Sequence, residues 1–142
     1  MPPAGLIDTG AILAILEVDD GWHSLCLEAL RNAPLPLLTT EAVITEMFHL
    51  IGKTAYHVEQ AWRFVRSGAL SVRSMGDSDL PQLNVLMAQY IDRPMDFADA
   101  SLVHLAYRES LSLILTVDQD DFETYRIAGR KKFTILPGRK RK

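Results

Sequence analysis

Cysteine is nearly absent: the 142 residues hold one, Cys26. That excludes an internal disulfide and any cysteine-based zinc centre. It suits a reducing compartment, and the cytoplasm is the expected location. No apolar run approaches the ~20 residues a membrane-spanning helix needs, so no membrane partner is expected. The first residues, Met1-Pro2-Pro3-Ala4-Gly5, place no charged stretch ahead of an apolar one, which argues against a secretory signal. Internal repeats and low-complexity stretches are missing too. At 48% hydrophobic and 23% charged residues, the chain has the composition of a globular protein rather than a disordered one. Its length suits one domain able to bury a core without staples, expected over residues 1–138 with a basic tail at 139–142.

Acids are missing from residues 126–142, and this asymmetry says more than the net charge of −3. All 18 acids and 7 of the 15 Lys and Arg fall in residues 1–125, a formal charge of −11. The other 8 bases give the remaining stretch +8. A body this acidic suggests carboxylates gathered for a purpose, and the basic end suggests a patch for a polyanion. Arg139–Lys142 also reads simply as a solubilising end.

Short β-like runs alternate with longer helical patterns. Leu6-Ile7, Leu37-Leu38-Thr39, Leu70-Ser71-Val72, Leu113–Val117 and Phe133–Leu136 read as strands. Helices are expected over Ala11–Glu17, Trp22–Asn32, Glu41–Ile51 with Thr40 as N-cap, Ala55–Arg66, Ser78–Tyr90, Phe97–Glu109 and, briefly, Asp118–Tyr125. Alternation of this kind predicts an α/β fold: three layers, α/β/α, around a mostly parallel sheet of about five short strands. In such sheets, sites form at the carboxyl ends of the strands.

That rule draws four acids together. Asp8 follows the first strand and Asp118 the Leu113–Val117 strand. Glu46 lies in the helix after the second strand. Asp99 sits in the first turn of a helix that is otherwise apolar, Phe97-Ala98-Asp99-Ala100-Ser101-Leu102-Val103. Four carboxylates around one pocket repel each other and raise each other's pKa unless a cation neutralises them. A hard divalent ion, Mg²⁺ or Mn²⁺, is the simplest resolution for oxygen ligands. Each acid also has a plain structural reading: Asp8 and Asp118 as helix caps, Glu46 as an exposed helix residue.

Leu6-Ile7-Asp8-Thr9-Gly10, Thr39-Thr40-Glu41-Ala42-Val43-Ile44-Thr45-Glu46, Phe97-Ala98-Asp99-Ala100 and Ile114-Leu115-Thr116-Val117-Asp118-Gln119-Asp120-Asp121-Phe122 resemble the four acidic motifs of PIN-domain ribonucleases, above all the VapC-like toxins of bacterial toxin–antitoxin pairs. The resemblance runs from Leu6 to about Pro137 in the family's order. It implies a PIN-like domain in which Asp8, Glu46 and Asp99 hold the metal and Asp118 completes the ring. Thr9 and Thr116 become pocket hydroxyls that bond to the ligands. Asp96 is either a supporting acid or the cap of the Phe97 helix, and Asp121 faces solvent or pairs with an Arg. An antitoxin protein and a second copy of the chain are the implied partners.

The implied chemistry is hydrolysis of RNA. A metal-activated water attacking the phosphodiester leaves a 5′-phosphate and a 3′-hydroxyl. Attack by the 2′-hydroxyl would want paired histidines, and His23, His49, His57 and His104 have no evident pairing. Arg126, Arg130, Lys131 and Lys132 are candidates for RNA contact, with Arg63, Arg66 and Arg73 as a second strip. No base-reading module is visible, so selection by shape, as of a tRNA, is expected. The helices 41–51 and 55–66 carry Met47, Phe48, Leu50, Ile51, Tyr56, Trp62, Phe64 and Val65, either as core or as the seat of an antitoxin helix. A non-cleaving RNA- or protein-binding module is the rival reading. A phosphoacceptor receiver is disfavoured, because Val72-Arg73-Ser74 stands where its acid belongs.

Overall fold

The computed structural model describes residues 3–138; the basic tail at 139–142 lies outside them. In chain order the elements are β1 (Gly5–Ile7), α1 (Thr9–Leu16), α2 (His23–Asn32), β2 (Leu37–Thr40), α3 (Glu41–Leu50), α4 (Ala55–Val65), β3 (Leu70–Arg73), a 3₁₀ turn (Asp77–Asp79), α5 (Leu80–Gln89), α6 (Phe97–Arg108), β4 (Leu113–Leu115), α7 (Gln119–Thr124) and β5 (Thr134–Leu136).

The five strands form one sheet in the order β3-β2-β1-β4-β5. Every pair is parallel, with Leu6 opposite both Leu38 and Ile114. β1 and β2 are buried at every position, which requires cover on both faces. This is the expected three-layer α/β/α arrangement. The core runs through Leu6, Ile7, Leu38 and Ile114 to Ile12 on α1, Val43 and Met47 on α3, Leu102 and Leu105 on α6, and Phe122 and Tyr125 at α7.

The chain builds the sheet outward from β1 to β2 and β3, then returns to add β4 and β5 on the other side. The crossovers therefore diverge between β1 and β4, and at the carboxyl edge this leaves the crevice where open α/β sheets bind ligands. Asp8 leaves one side of that crevice and Asp118 the other.

Several boundaries differ from expectation for identifiable reasons. The first helix is expected from Ala11, yet α1 begins at Thr9 because the Asp8 carboxylate accepts from Ala11 N–H at 2.9 Å and starts the helix. The segment 78–90 is split, with Pro81 in the first turn of α5. β4 ends at Leu115, but Thr116 N–H still donates to Leu136 O at 2.9 Å before the chain turns. Within the α3–α4 pair, Met47 and Ile51 are core rather than surface, while Leu50, Tyr56 and Trp62 are exposed. No helix of the described residues is long and apolar enough to cross a membrane.

Candidate active site

Asp8 is the most deeply placed of the four acids, only 3% exposed. Besides capping α1, its carboxylate accepts the Thr116 hydroxyl. Thr116 in turn accepts Asp118 N–H at 2.9 Å, so one threonine ties together the acids that follow β1 and β4. The approach needs Gly10: a Cβ there would stand 2.5 Å from Val117 Cγ2, closer than packing permits.

Asp99 lies in the first turn of α6. Its N–H donates to Asp96 Oδ1 at 2.8 Å, so Asp96 caps the helix, as one of its two readings held. The Asp99 carboxylate accepts the Tyr125 hydroxyl at 3.3 Å. Glu46 is half-buried on α3, whose cap Thr40 sets its position relative to α6. Ser101 donates to Ala98 O, so the Thr40 hydroxyl donates to Ser101 Oγ at 2.8 Å and links the start of α3 to α6.

Asp8 and Asp99 are raised by burial and by acidic neighbours. Burial pushes Asp8 up to about 7, helped by the charges of Asp118 and Glu46 against the opposing hydrogen bonds from Thr116 and Ala11. Burial likewise pushes Asp99 up to about 8, with Asp96, Asp8 and Asp118 adding to the rise. Asp118, at the exposed rim, is raised first by desolvation and then by Asp121 and Asp96. No ion pair among the described residues involves Asp8, Glu46, Asp99 or Asp118. Among those residues no three His, Cys, Asp or Glu side chains stand close enough to form a ready-made metal centre. The donor set is nonetheless all oxygen and its negative charge is unbalanced, the chemistry that suits a hard divalent cation.

The remaining candidates separate. Thr9 is buried at the start of α1. Asp121 pairs with Arg93 at 3.1 Å. The Arg126 guanidinium folds back onto the carbonyls of Thr124 and Tyr125, both at 3.0 Å. Arg130, Lys131 and Lys132 are exposed on a turn just before β5, so they stand toward the sheet edge opposite the carboxylates. Arg63 and Arg73 pair with Glu59 and Glu109 instead of forming a strip. His49 is exposed on α3. Cys26 is core, its thiol pushed up to about 12 by burial.

Tyr125 escapes sequence reasoning although it is fully buried and touches Asp99. It is held edge-on between Tyr90 and Phe122. The only hint was Phe122 and Tyr125 at helical spacing. Asp79 was also missed. It is buried and joins His104 Nε2 at 2.7 Å, Arg108 at 3.1 Å and Gly76 N–H at 2.8 Å.

The fold is an all-parallel α/β sheet with Asp8 and Asp118 emerging at its carboxyl edge, the architecture of a single α/β domain with acids at the strand ends. Residues 5–128 match the model of the PIN domain, and the chain belongs to that family. It is 28% identical over 134 residues to Ribonuclease VapC26 of Mycobacterium tuberculosis, spanning 93% of this chain and 99% of that protein. The crystal structure of M. tuberculosis VapC20, a toxin that cleaves the sarcin-ricin loop, superposes with a TM-score of 0.72 at 16% identity, over 83% of this chain and 94% of that one. A toxin–antitoxin complex from Klebsiella pneumoniae gives a TM-score of 0.64 at 21% identity, over 85% and 92%.

Proposed function

We propose that this chain is a divalent-metal-dependent endoribonuclease, the toxin of a toxin–antitoxin pair, working in the cytoplasm. The observation that carries the reading is Asp8, buried and bonded to Thr116, whose carboxyl feels the charges of Asp118 and Glu46 and forms no ion pair among the described residues. Similarity to Ribonuclease VapC26 over nearly the whole of both chains supports RNA as the substrate.

Asp8, Glu46 and Asp99 would hold Mg²⁺ or Mn²⁺, with Asp118 at the rim. When bound, the cation neutralises the carboxylates and the phosphodiester and lowers the pKa of water. The protein's own groups do the rest. Thr116 fixes the Asp8 carboxylate by donating to it, and Tyr125 does the same for Asp99. Asp118, exposed and raised, accepts the proton of the attacking water. Thr9, buried at the start of α1, would be a supporting hydroxyl beside Asp8. A strand long enough to cross the domain would find phosphate contacts at Arg130, Lys131 and Lys132, with Arg126 as a further candidate once its guanidinium leaves the Thr124 and Tyr125 carbonyls.

The similar toxin–antitoxin complex supports a protein antitoxin as partner. Leu50, Tyr56 and Trp62 offer it exposed apolar surface on α3 and α4. A second copy is expected on another face, where Val85 and Tyr107 are exposed.

The test is cleavage of a structured RNA, a tRNA pool included, with Mg²⁺ or Mn²⁺, against EDTA and Asp8→Asn as controls. Cutting abolished by both controls, with 5′-phosphate and 3′-hydroxyl ends, is the expected result. RNA bound but never cut in any divalent ion would favour the non-cleaving module.

A further inference from the structure

Beside the carboxylates lies a cavity of about 590 Å³ that the mechanism leaves unused. It opens between α3, the segment after β3 and the start of α6, and shares Glu46 with the acidic site. Met75, Phe97 and Ala98 give it apolar surface, and Phe97 is 45% exposed there, unusual for so large an apolar ring. Glu41 and Asp96 add carboxylates. Glu41 is held in place, since Ser74 Oγ donates to its Oε1 at 2.6 Å. None of the described Lys or Arg residues lines the cavity.

This chemistry selects against a phosphate, which the carboxylates repel. It favours a flat, uncharged ring that stacks on Phe97 and offers N–H donors to fixed acceptors. We propose that the cavity is a nucleobase subsite, taking an unpaired base with an exocyclic amino group next to the scissile phosphate and disfavouring uracil. This rests on the RNA-cleaving reading, because only a strand threaded through the acidic pocket brings a base there. Aromatic stacking supplies affinity for any base, and carboxylate acceptance from an amino group, as from cytosine N4, supplies selectivity.

The test reads binding without turnover. Fluorescein-labelled hexaribonucleotides rC₆, rA₆ and rU₆ are titrated against the full chain in Ca²⁺, and intact oligonucleotide is verified on a gel. The wild type is expected to bind rC₆ and rA₆ about 10-fold more tightly than rU₆. Phe97→Ala is expected to lose about 10-fold on all three. Glu41→Leu removes the acceptor at similar size and should shrink the preference over rU₆, while rU₆ itself binds no more weakly than to the wild type. Far-UV circular dichroism melts confirm that both variants fold. Equal binding of all three oligonucleotides by the wild type, or full affinity in folded Phe97→Ala, overturns the proposal. Because no cut is needed, failure here stays separate from failure of the nuclease assay.

Discussion

Replacing Asp8 with Asn should stabilise the metal-free protein at alkaline pH and not at acid pH. In the folded chain the Asp8 carboxyl is raised from 3.8 to about 7. The native state therefore keeps this proton between about pH 4 and pH 7 while the unfolded chain has shed it, so stability falls as pH rises through that window. The full penalty, present above pH 7, is about 4 kcal/mol from a rise of about three pKa units. Asn keeps an oxygen for the Ala11 N–H that starts α1, but leaves the Thr116 hydroxyl without its carboxylate acceptor, a loss of about 1 kcal/mol. The net expectation at pH 8 in EDTA is a gain of about 3 kcal/mol, roughly 10 °C in Tm for a chain of this size. Near pH 4 the variant should be about 1 kcal/mol less stable. Urea melts at both pH values measure the difference. Saturating Mg²⁺ or Mn²⁺ at pH 8 should raise the wild type and leave Asp8→Asn nearly unmoved. An Asp8→Asn protein no more stable than the wild type at pH 8 in EDTA, or a difference that ignores pH, would refute the reasoning.

Tyr125→Phe removes the hydroxyl that donates to Asp99 and retains the ring packing, so it should weaken apparent Mn²⁺ affinity in cleavage titrations by about 5-fold while costing under about 1 kcal/mol of stability; unchanged Mn²⁺ dependence counts against a role at the site. Asp79→Ala strips the partner from buried His104 and from Arg108 and the Gly76 N–H, so urea melts at pH 7 should show a loss of about 3 kcal/mol. The same Asp79 carboxyl is held below its ordinary range by the Gly76 N–H and His104, so the stability it adds is present above about pH 4 and is lost as pH falls below that. Met47→Ala should cost about 2–4 kcal/mol because Met47 is core, whereas Leu50→Ala, three residues on and 57% exposed, should stay within about 0.5 kcal/mol yet weaken capture of an antitoxin. Equal losses at the two positions in denaturant melts would contradict the division of α3 into core and contact faces.

The positions of Asp8, Asp99 and Asp118 were legible because each is fixed by local pattern. A parallel sheet has one carboxyl edge, so an acid just after a strand must emerge there, and Asp8 and Asp118 do. Asp99 was legible by contrast with its apolar neighbours, since a charge in that setting needs a reason. What was illegible depends on contacts between segments distant along the chain. Tyr125 meets Asp99 across 26 residues, and His104 meets Asp79 across 25. Neither spacing is a helical or strand repeat, so no periodicity announces it. The division of α3 into core and surface stays open in the sequence for a related reason. Met47 and Leu50 are both apolar, and only the docking of α3 against the sheet and α6 decides which one is covered. The basic residues show the same limit: composition reveals that Arg130, Lys131 and Lys132 are clustered, but their place before β5 puts them toward the edge away from the acids. On the proposed reading, a bound metal rather than Arg130, Lys131 and Lys132 would admit the polyanion to the acidic pocket. That makes the response of wild-type stability to Mg²⁺ or Mn²⁺ in the absence of RNA more informative about this site than any RNA affinity measured in EDTA.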